Sequence, residues 1–340
     1  MNSGIKSVPK CIIYGVGFVG SALTRLIVER GWTIVAAFNR SGDKVGKDLG
    51  QVAELGRDLG IIIQDCETAD YTKLKADVAL IATTNILSEN LPAYQRFMRA
   101  GINVLCHGTE SYHPYWINSS LADEIDSLAK QNGVTFTGGG IWDNTRIWSG
   151  ILAAGPCANI ESMLHKTQTE ALRQGLYWAD VLGVGLTPEE FHKKMEPNKG
   201  KWGKSVQIPS VSVVQKLGYT VTEAINGFEP VVRDHDFYCA LLKRTIHAGT
   251  ALGMRFLVDL KTSQGLTVKT EYDARVFEDG EVEEMRWIVN GSPGSEVRYV
   301  RKDSGIASAS SLLNRVPNVL AADPGIVEIT KLGPLQPFVA

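Results

Sequence analysis

Three observations predict an α/β protein of two domains. A G-x-G-x-x-G turn joins a short apolar strand to a helix near the start of the 340-residue chain. Apolar strands then alternate with helical patterns over the first 140 residues, the signature of parallel βαβ units. Beyond Trp142 the segments switch to an alternation of apolar and polar residues. Together these predict α/β architecture: a Rossmann-type doubly wound parallel sheet, plus a second α+β domain with a mixed or antiparallel sheet.

The first unit is CIIYGVGFVG, Cys11–Gly20. Gly15 permits a sharp turn, Gly17 lets the backbone approach a pyrophosphate, and Gly20 lets helix and strand pack closely. Phe18 and Val19 open the helix whose N-terminus would receive the phosphates; its apolar spacing ends at Gly31. WTIVAAF (Trp32–Phe38) is a second strand ending at Asn39-Arg40-Ser41, and IIIQ (Ile61–Gln64) a third. ADVALIATT (Ala76–Thr84) is almost wholly apolar, as a central strand buried on both faces must be. A helix over Leu87–Ala100, a strand INVLCHG, a helix over Trp116–Gln131 and a strand VTFTGGG complete the set.

In the second half, ESMLHKTQTE and TVKTEYDARVF read as half-buried strands, and Asp279-Gly280 as a hairpin turn between ARVFE and VEEMRWIVNG. Thr187-Pro188-Glu189-Glu190 is a capping box with proline at the first helical position. A final helical run, Ile306–Asn314, is expected to pack back on the nucleotide domain. The expected division is 1–145 for the dinucleotide-binding domain with a return segment 305–340, and 146–304 for a substrate and dimerisation domain.

Composition is ordinary and globular, with 44% hydrophobic and 21% charged residues. A net charge of −2 carries no electrostatic footprint for nucleic acid or an anionic membrane. No apolar run approaches the roughly 20 residues that cross a bilayer, and the polar start leaves no room for a signal peptide. The five cysteines are scattered without a C-x-x-C, which points to reduced thiols, a cytoplasmic setting and no metal site.

The end of the second strand bears on the cofactor. An acidic residue there usually holds the ribose of NAD; here the residues are Asn39, Arg40 and Ser41. An amide, a guanidinium and a hydroxyl suit a 2′-phosphate, so NADP is expected over NAD. The alternative is a solvated Arg40 and use of both dinucleotides. Thr83, Thr84 and Asn85, after the central strand, and His107 and Gly108, after the next, should line the cofactor.

Reacting groups in such a sheet collect beyond the carboxyl ends of the strands. Glu110 stands out there: its carboxylate could bind ammonia or an amine and move protons, or it could cap a helix or lie on a loop surface. His113, Trp142, Asp143, Arg146, Trp148 and Trp178 are the candidate substrate contacts. For Asp143 the rival role is the N-cap of a helix starting at Thr145, and for the tryptophans it is core packing.

Three sets of residues resemble the 2,4-diaminopentanoate dehydrogenase and native amine dehydrogenase family, whose nucleotide domain is similar to that of dihydrodipicolinate reductase. They are GVGFVG followed by DKVGKDLG (Asp43–Gly50); Glu110 with Pro114 and then GGGIWD; and NRVPNVLAADPG (Asn314–Gly325) running into IVEITKLGP. The resemblance implies NAD(P)-dependent reductive amination of a ketone or aldehyde with ammonia, and the reverse deamination, with the active-site glutamate at Glu110. Thr109 stands where that family often has a second acid. A homodimer is expected. Two other functions remain open: an NADP-dependent carbonyl or cyclic-imine reductase, and a catalytically silent NADPH-sensing protein.

Overall fold

The apolar run after Pro9 forms β1 (Lys10–Tyr14), and the glycine turn leads into α1 (Phe18–Glu29) and β2 (Thr33–Asn39). The computed structural model describes residues 8–40, 42–198 and 203–337. A short α2 (Leu49–Val52) follows, set by Asp48, whose carboxylate accepts from the N–H groups of Gly50, Leu59 and Ile61 at 2.7, 2.9 and 3.1 Å. Then come β3 (Ile63–Asp65), β4 (Val78–Ile81), α3 (Leu87–Arg99) and β5 (Asn103–Cys106). The single helix expected over 116–131 is two, α4 (Pro114–Ile117) and α5 (Ser119–Gln131). Asn118 divides them because its extended backbone ends one helix while its side chain caps the next at Leu121 N–H, 3.1 Å. β6 (Thr135–Gly138) ends this run.

The next stretch holds α6 (Ser149–Ala154), β7 (Asn159–Glu170), α7 (Trp178–Val181), α8 (Pro188–Met195), α9 (Ile208–Lys216) and β8 (Val221–Val232). It continues through the paired β9 (Phe237–Cys239) and β10 (Arg244–Ile246) to β11 (Ala251–Thr262), β12 (Thr267–Arg275), β13 (Glu283–Ser292) and β14 (Ser295–Arg301). The chain closes with α10 (Ser304–Ala321) and β15 (Gly325–Ile326). Two units result: residues 1–144 with 303–340, and residues 145–302.

In the first unit seven parallel strands run in the order β15-β6-β5-β4-β1-β2-β3. Side-chain alternation gives the sheet two cores. Cys11, Ile13, Val78 and Leu80 face α1 and α10, whose Leu23, Ile27, Leu312 and Val316 pack on them. Ile12, Tyr14, Ala79 and Ile81 face the other way, onto Tyr94 and Phe97 of α3 and Ile125 of α5. All four residues of β4 are fully buried, the consequence of helices on both faces. The order of strands reverses between β1 and β4, and that crevice at the carboxyl edge is where such sheets take ligands.

The second unit is a six-stranded sheet, β14-β13-β7-β12-β11-β8, antiparallel except for the β7–β12 pair. The Asp279-Gly280 hairpin does not form. Strand β7 lies between β12 and β13 and pairs with both, so the segment holding Gly280 must cross the end of β7 instead of folding straight back. The capping box at Thr187 is complete: Glu190 N–H donates to the threonine hydroxyl at 3.3 Å, and the Glu190 carboxylate accepts from Thr187 N–H at 2.9 Å.

Asp143 corrects another expectation. It is the first residue of a π-helix, Asp143–Trp148, and its carboxylate is fully buried against Arg315 of α10. Arg315 Nη2 donates to both oxygens at 2.7 Å and Nε donates at 3.0 Å. Fully buried and held by three hydrogen bonds from Arg315, this carboxylate serves an ion pair and not a helix cap. Burial pushes its carboxyl up to about 6 against the pull of the guanidinium. Replacing Arg315 by Met should cost about 3–5 kcal/mol by leaving that charge uncompensated. In urea unfolding, the Asp143→Asn, Arg315→Met pair should lose clearly less than the two single losses summed.

Candidate functional site

The glycine turn is built by close approach. Gly15 has φ +96°, and a Cβ on it would lie 2.5 Å from the Ala82 carbonyl oxygen at the end of β4. A Cβ on Gly20 would lie 2.0 Å from the Gly15 oxygen, so only glycine lets α1 start this close to β1. Gly17 differs: its Cβ would meet nothing within 4 Å. It is the N-cap of α1, and no side chain caps the helix. Bare backbone N–H groups at the positive end of a helix, with open space before them, fit the pyrophosphate of a dinucleotide. Phe18 is 65% exposed, with its ring against Gly305, while Val19 packs into the core below.

At the end of β2, Asn39 Oδ1 accepts from Val16 N–H at 3.3 Å, which ties the strand to the turn. Arg40 is exposed beside it, and Ser41 lies outside the described residues. Lys44 donates from Nζ to the Val16 carbonyl at 2.7 Å and so adds a second cation to the turn. Its signal in the sequence is its place in DKVGKDLG, directly after the strand.

The loops after β4 and β5 are joined to one another. The Thr83 hydroxyl donates to Asn90 Oδ1, and Asn90 Nδ2 donates to the Thr84 carbonyl at 2.8 Å. Thr109 N–H donates to Asn85 Oδ1 at 3.3 Å and Glu110 N–H to the Asn85 carbonyl at 3.1 Å. Gly108 passes so close that a Cβ would lie 2.6 Å from the Thr84 oxygen. Asn90 was also missed; its signal is a polar residue, only 3% exposed, on the inward face of α3. His107 stands by Gly140, and burial pushes its imidazole down to about 4, so it is neutral at pH 7.

Glu110 lies in a short 3₁₀ turn, Thr109–Tyr112. Its Oε2 accepts from Leu87 N–H, the first of α3, at 2.8 Å. The carboxylate therefore does cap a helix, one of the two roles considered for it. Among the described residues no hydrogen bond engages Oε1. Burial raises the Glu110 pKa above its ordinary 4.5; the Leu87 N–H opposes this and the nearby Glu89 charge adds to it.

Of the candidate substrate contacts, His113 is 6% exposed with Nδ1 3.3 Å from Glu328 Oε1, and the Trp142 ring lies 5.9 Å from that of Tyr112. The structure thus gathers the glycine turn, Asn39, Thr83–Asn85, Gly108 and Glu110 along one edge of the first unit's sheet. Arg146, Trp148 and Trp178 belong to the second unit. There Trp178 packs with the cluster around Phe191 and Met254. Among the described residues no group of acidic, histidine or cysteine side chains could hold a metal ion, and no helix is long and apolar enough to cross a membrane.

No family model matches the chain. It is 27% identical over 331 residues to the 2,4-diaminopentanoate dehydrogenase of Acetoanaerobium sticklandii, covering 93% of this chain and 91% of that one. Among solved structures, the amine dehydrogenase from Mycobacterium smegmatis superposes with a TM-score of 0.85 at 26% identity, over 97% of this chain and 98% of that one. Biliverdin reductase from Synechocystis sp. PCC 6803 shares the fold, with a TM-score of 0.54 at 14% identity over 95% and 94% of the two chains.

The two helix-start glycines separate binding from folding. Gly17→Ala should unfold within about 1 kcal/mol of the parent yet lose about tenfold in dinucleotide affinity. Gly20→Ala should lose both, because its methyl group collides with the Gly15 backbone. Urea unfolding beside a dinucleotide fluorescence titration reads the contrast.

Proposed function

We propose that this chain, a homologue of 2,4-diaminopentanoate dehydrogenase and of amine dehydrogenase and an NAD(P)-dependent oxidoreductase, is an amine dehydrogenase. It aminates a ketone or aldehyde with ammonia and deaminates the product amine in the reverse direction. The observation that carries this reading is the Glu110 carboxylate at the carboxyl edge of the parallel sheet, with Oε2 fixed by Leu87 N–H and Oε1 left for chemistry.

In the amination direction a carbonyl compound, ammonium, NAD(P)H and a proton become an alkylammonium, water and NAD(P)+. The bound dinucleotide supplies the hydride; Gly15, Gly17 and Gly20 hold its pyrophosphate, and Thr83–Asn85 and Gly108 flank it. Glu110 moves the protons. Ionised, Oε1 takes a proton from ammonium and releases the nucleophile. Protonated, it returns that proton to the departing hydroxyl of the carbinolamine, so that water leaves. Ionised again, it stabilises the positive iminium by its charge. A carboxyl held above the ordinary range by burial exchanges its proton more readily near neutrality than a surface glutamate would.

NADP is the preferred dinucleotide in this reading. An amide, Asn39, ends β2 where a carboxylate would repel a 2′-phosphate, and Arg40 and Lys44 supply two cations there.

Following NADPH absorbance with short keto compounds tests the reaction. Consumption should require ammonium; consumption without it points to carbonyl reduction, and binding without turnover to a sensor. Glu110→Gln should lower kcat/KM by about 10²–10⁴ and leave dinucleotide affinity unchanged. Activity should fall as pH drops through the raised Glu110 pKa, at a higher pH than a surface glutamate gives, and the Gln variant should lack that limb. Arg40→Ala should weaken NADPH by about tenfold and spare NADH; an equal loss for both rules out a 2′-phosphate contact.

A further inference from the structure

Helix α3 begins without a cap of its own. Its N-cap residue, Ile86, makes no side-chain hydrogen bond, so the first N–H groups of the helix depend on neighbours. Leu87 N–H reaches Glu110 Oε2 at 2.8 Å. Asn85 holds the same turn from the other side, its carbonyl accepting from Glu110 N–H at 3.1 Å and its Oδ1 from Thr109 N–H at 3.3 Å. Residues 85–87 therefore set where the Glu110 carboxylate lies. The next turn of the helix sets these residues in their place.

Asn90 of α3 is 3% exposed. Its Oδ1 accepts from the Thr83 hydroxyl, and its Nδ2 donates to the Thr84 carbonyl at 2.8 Å. Its backbone N–H donates to the Ile86 carbonyl at 3.3 Å. One side chain thus grips two consecutive residues of the chain entering the helix, and the Thr84 hydroxyl closes the turn by accepting from Ile86 N–H at 3.3 Å. Gly108 leaves room for the amide, since a Cβ there would lie 3.3 Å from Nδ2. Packing alone would be served by an apolar residue. The amide instead holds a donor and an acceptor of the incoming segment at once, which no apolar side chain can do. Tyr94, farther along α3, is as fully buried but directs its hydroxyl to the Cys106 sulfur at 3.0 Å.

We propose that Asn90 is a positioning residue for the reaction at Glu110: by fixing Thr83 and Thr84 it fixes the start of α3, and with it the Asn85 carbonyl and Leu87 N–H that orient the carboxylate. The inference deepens the amine dehydrogenase reading and rests on it for the chemistry, though not for the geometry. Leu87 N–H favours the ionised carboxylate, whereas burial and Glu89 favour the neutral one. Loosening the start of the helix weakens only the first influence, so Glu110 should then take up its proton at a higher pH. A carboxylate displaced in this way slows the chemistry more than it weakens binding.

Carbon-13 NMR titration of the Glu110 carboxyl, assigned by its loss in Glu110→Gln, tests the proposal together with kcat and KM on the same proteins. In Asn90→Ala the carboxyl should titrate at a higher pH than in the parent, and the acid limb of kcat/KM should move with it. There kcat should fall about tenfold to a hundredfold, with KM for the carbonyl compound little changed. Thr83→Val removes the partner of Asn90 Oδ1 and keeps the side-chain shape; it should move the titration the same way and add little to Asn90→Ala. It also carries the test should Asn90→Ala fail to fold. Tyr94→Phe deletes another buried hydrogen bond of the same helix; it should lower the urea midpoint and leave the Glu110 titration in place. An unmoved titration in Asn90→Ala or, where that variant does not fold, in Thr83→Val overturns the role, as does an equal displacement in Tyr94→Phe. The titration needs no turnover. A parent without ammonium-dependent activity therefore sinks the enzymatic reading alone, and parental titration in the variants of an active parent sinks only the role of Asn90.

Discussion

The first unit depends on one contact in which no side chain fits. The Gly15 carbonyl oxygen occupies the place where a Cβ on residue 20 would be, at 2.0 Å, and Gly15 itself is pressed against the Ala82 backbone. These two close approaches set the direction of α1 relative to β1 and bring the turn onto the end of β4. They also leave the first turn of α1 uncapped and facing open space. The anion-binding character of this edge follows from backbone geometry alone, before any side chain contributes.

Side chains then fasten the neighbouring loops. Asn85 and Asn90 hold the segment after β4, and through Asn85 the Glu110 turn is fixed to it. Glu110 serves the fold and supplies the reactive group at once. Its Oε2 neutralises part of the α3 helix N-terminus, which favours the ionised form, while burial favours the neutral one, and burial prevails. A carboxylate balanced in this way is held in place by an interaction that survives changes at its other oxygen.

The second unit's sheet has two unlike faces. One carries ion pairs between strands, Lys166 with Glu271 at 2.9 Å, Arg255 with Asp273 at 2.6 Å and Arg286 with Glu296 at 2.5 Å. Such pairs across a half-exposed face contribute little stability each, and they suit a surface that meets water. The opposite face is buried and mixes Met163, Met285 and Trp287 with His165, Thr167 and Thr270. Thr270 is satisfied by Ser210 of α9 at 2.7 Å, whereas the ring nitrogens of His165 and the hydroxyl of Thr167 have no hydrogen-bond partner among the described residues.

Local chemistry made much of this legible in the residue order. The glycine spacing, the apolar run of β4 and the capping box at Thr187 each act within a few residues of themselves, so type and spacing suffice to determine a turn, a buried strand and a helix start. The pairing of β7 with both β12 and β13 was out of reach, because a strand's neighbours are chosen by burial across the whole sheet and a turn signal such as Asp279-Gly280 reports only its own backbone. Likewise, nothing near Asp143 announces Arg315, which lies 172 positions away, or near Glu110 the N–H of Leu87. The sequence by itself determined which groups are present and which local shapes they prefer. Only the tertiary structure decided which carboxylate is consumed by a buried ion pair and which keeps an oxygen without a partner, since both outcomes depend on chain segments that folding alone brings within a few ångströms.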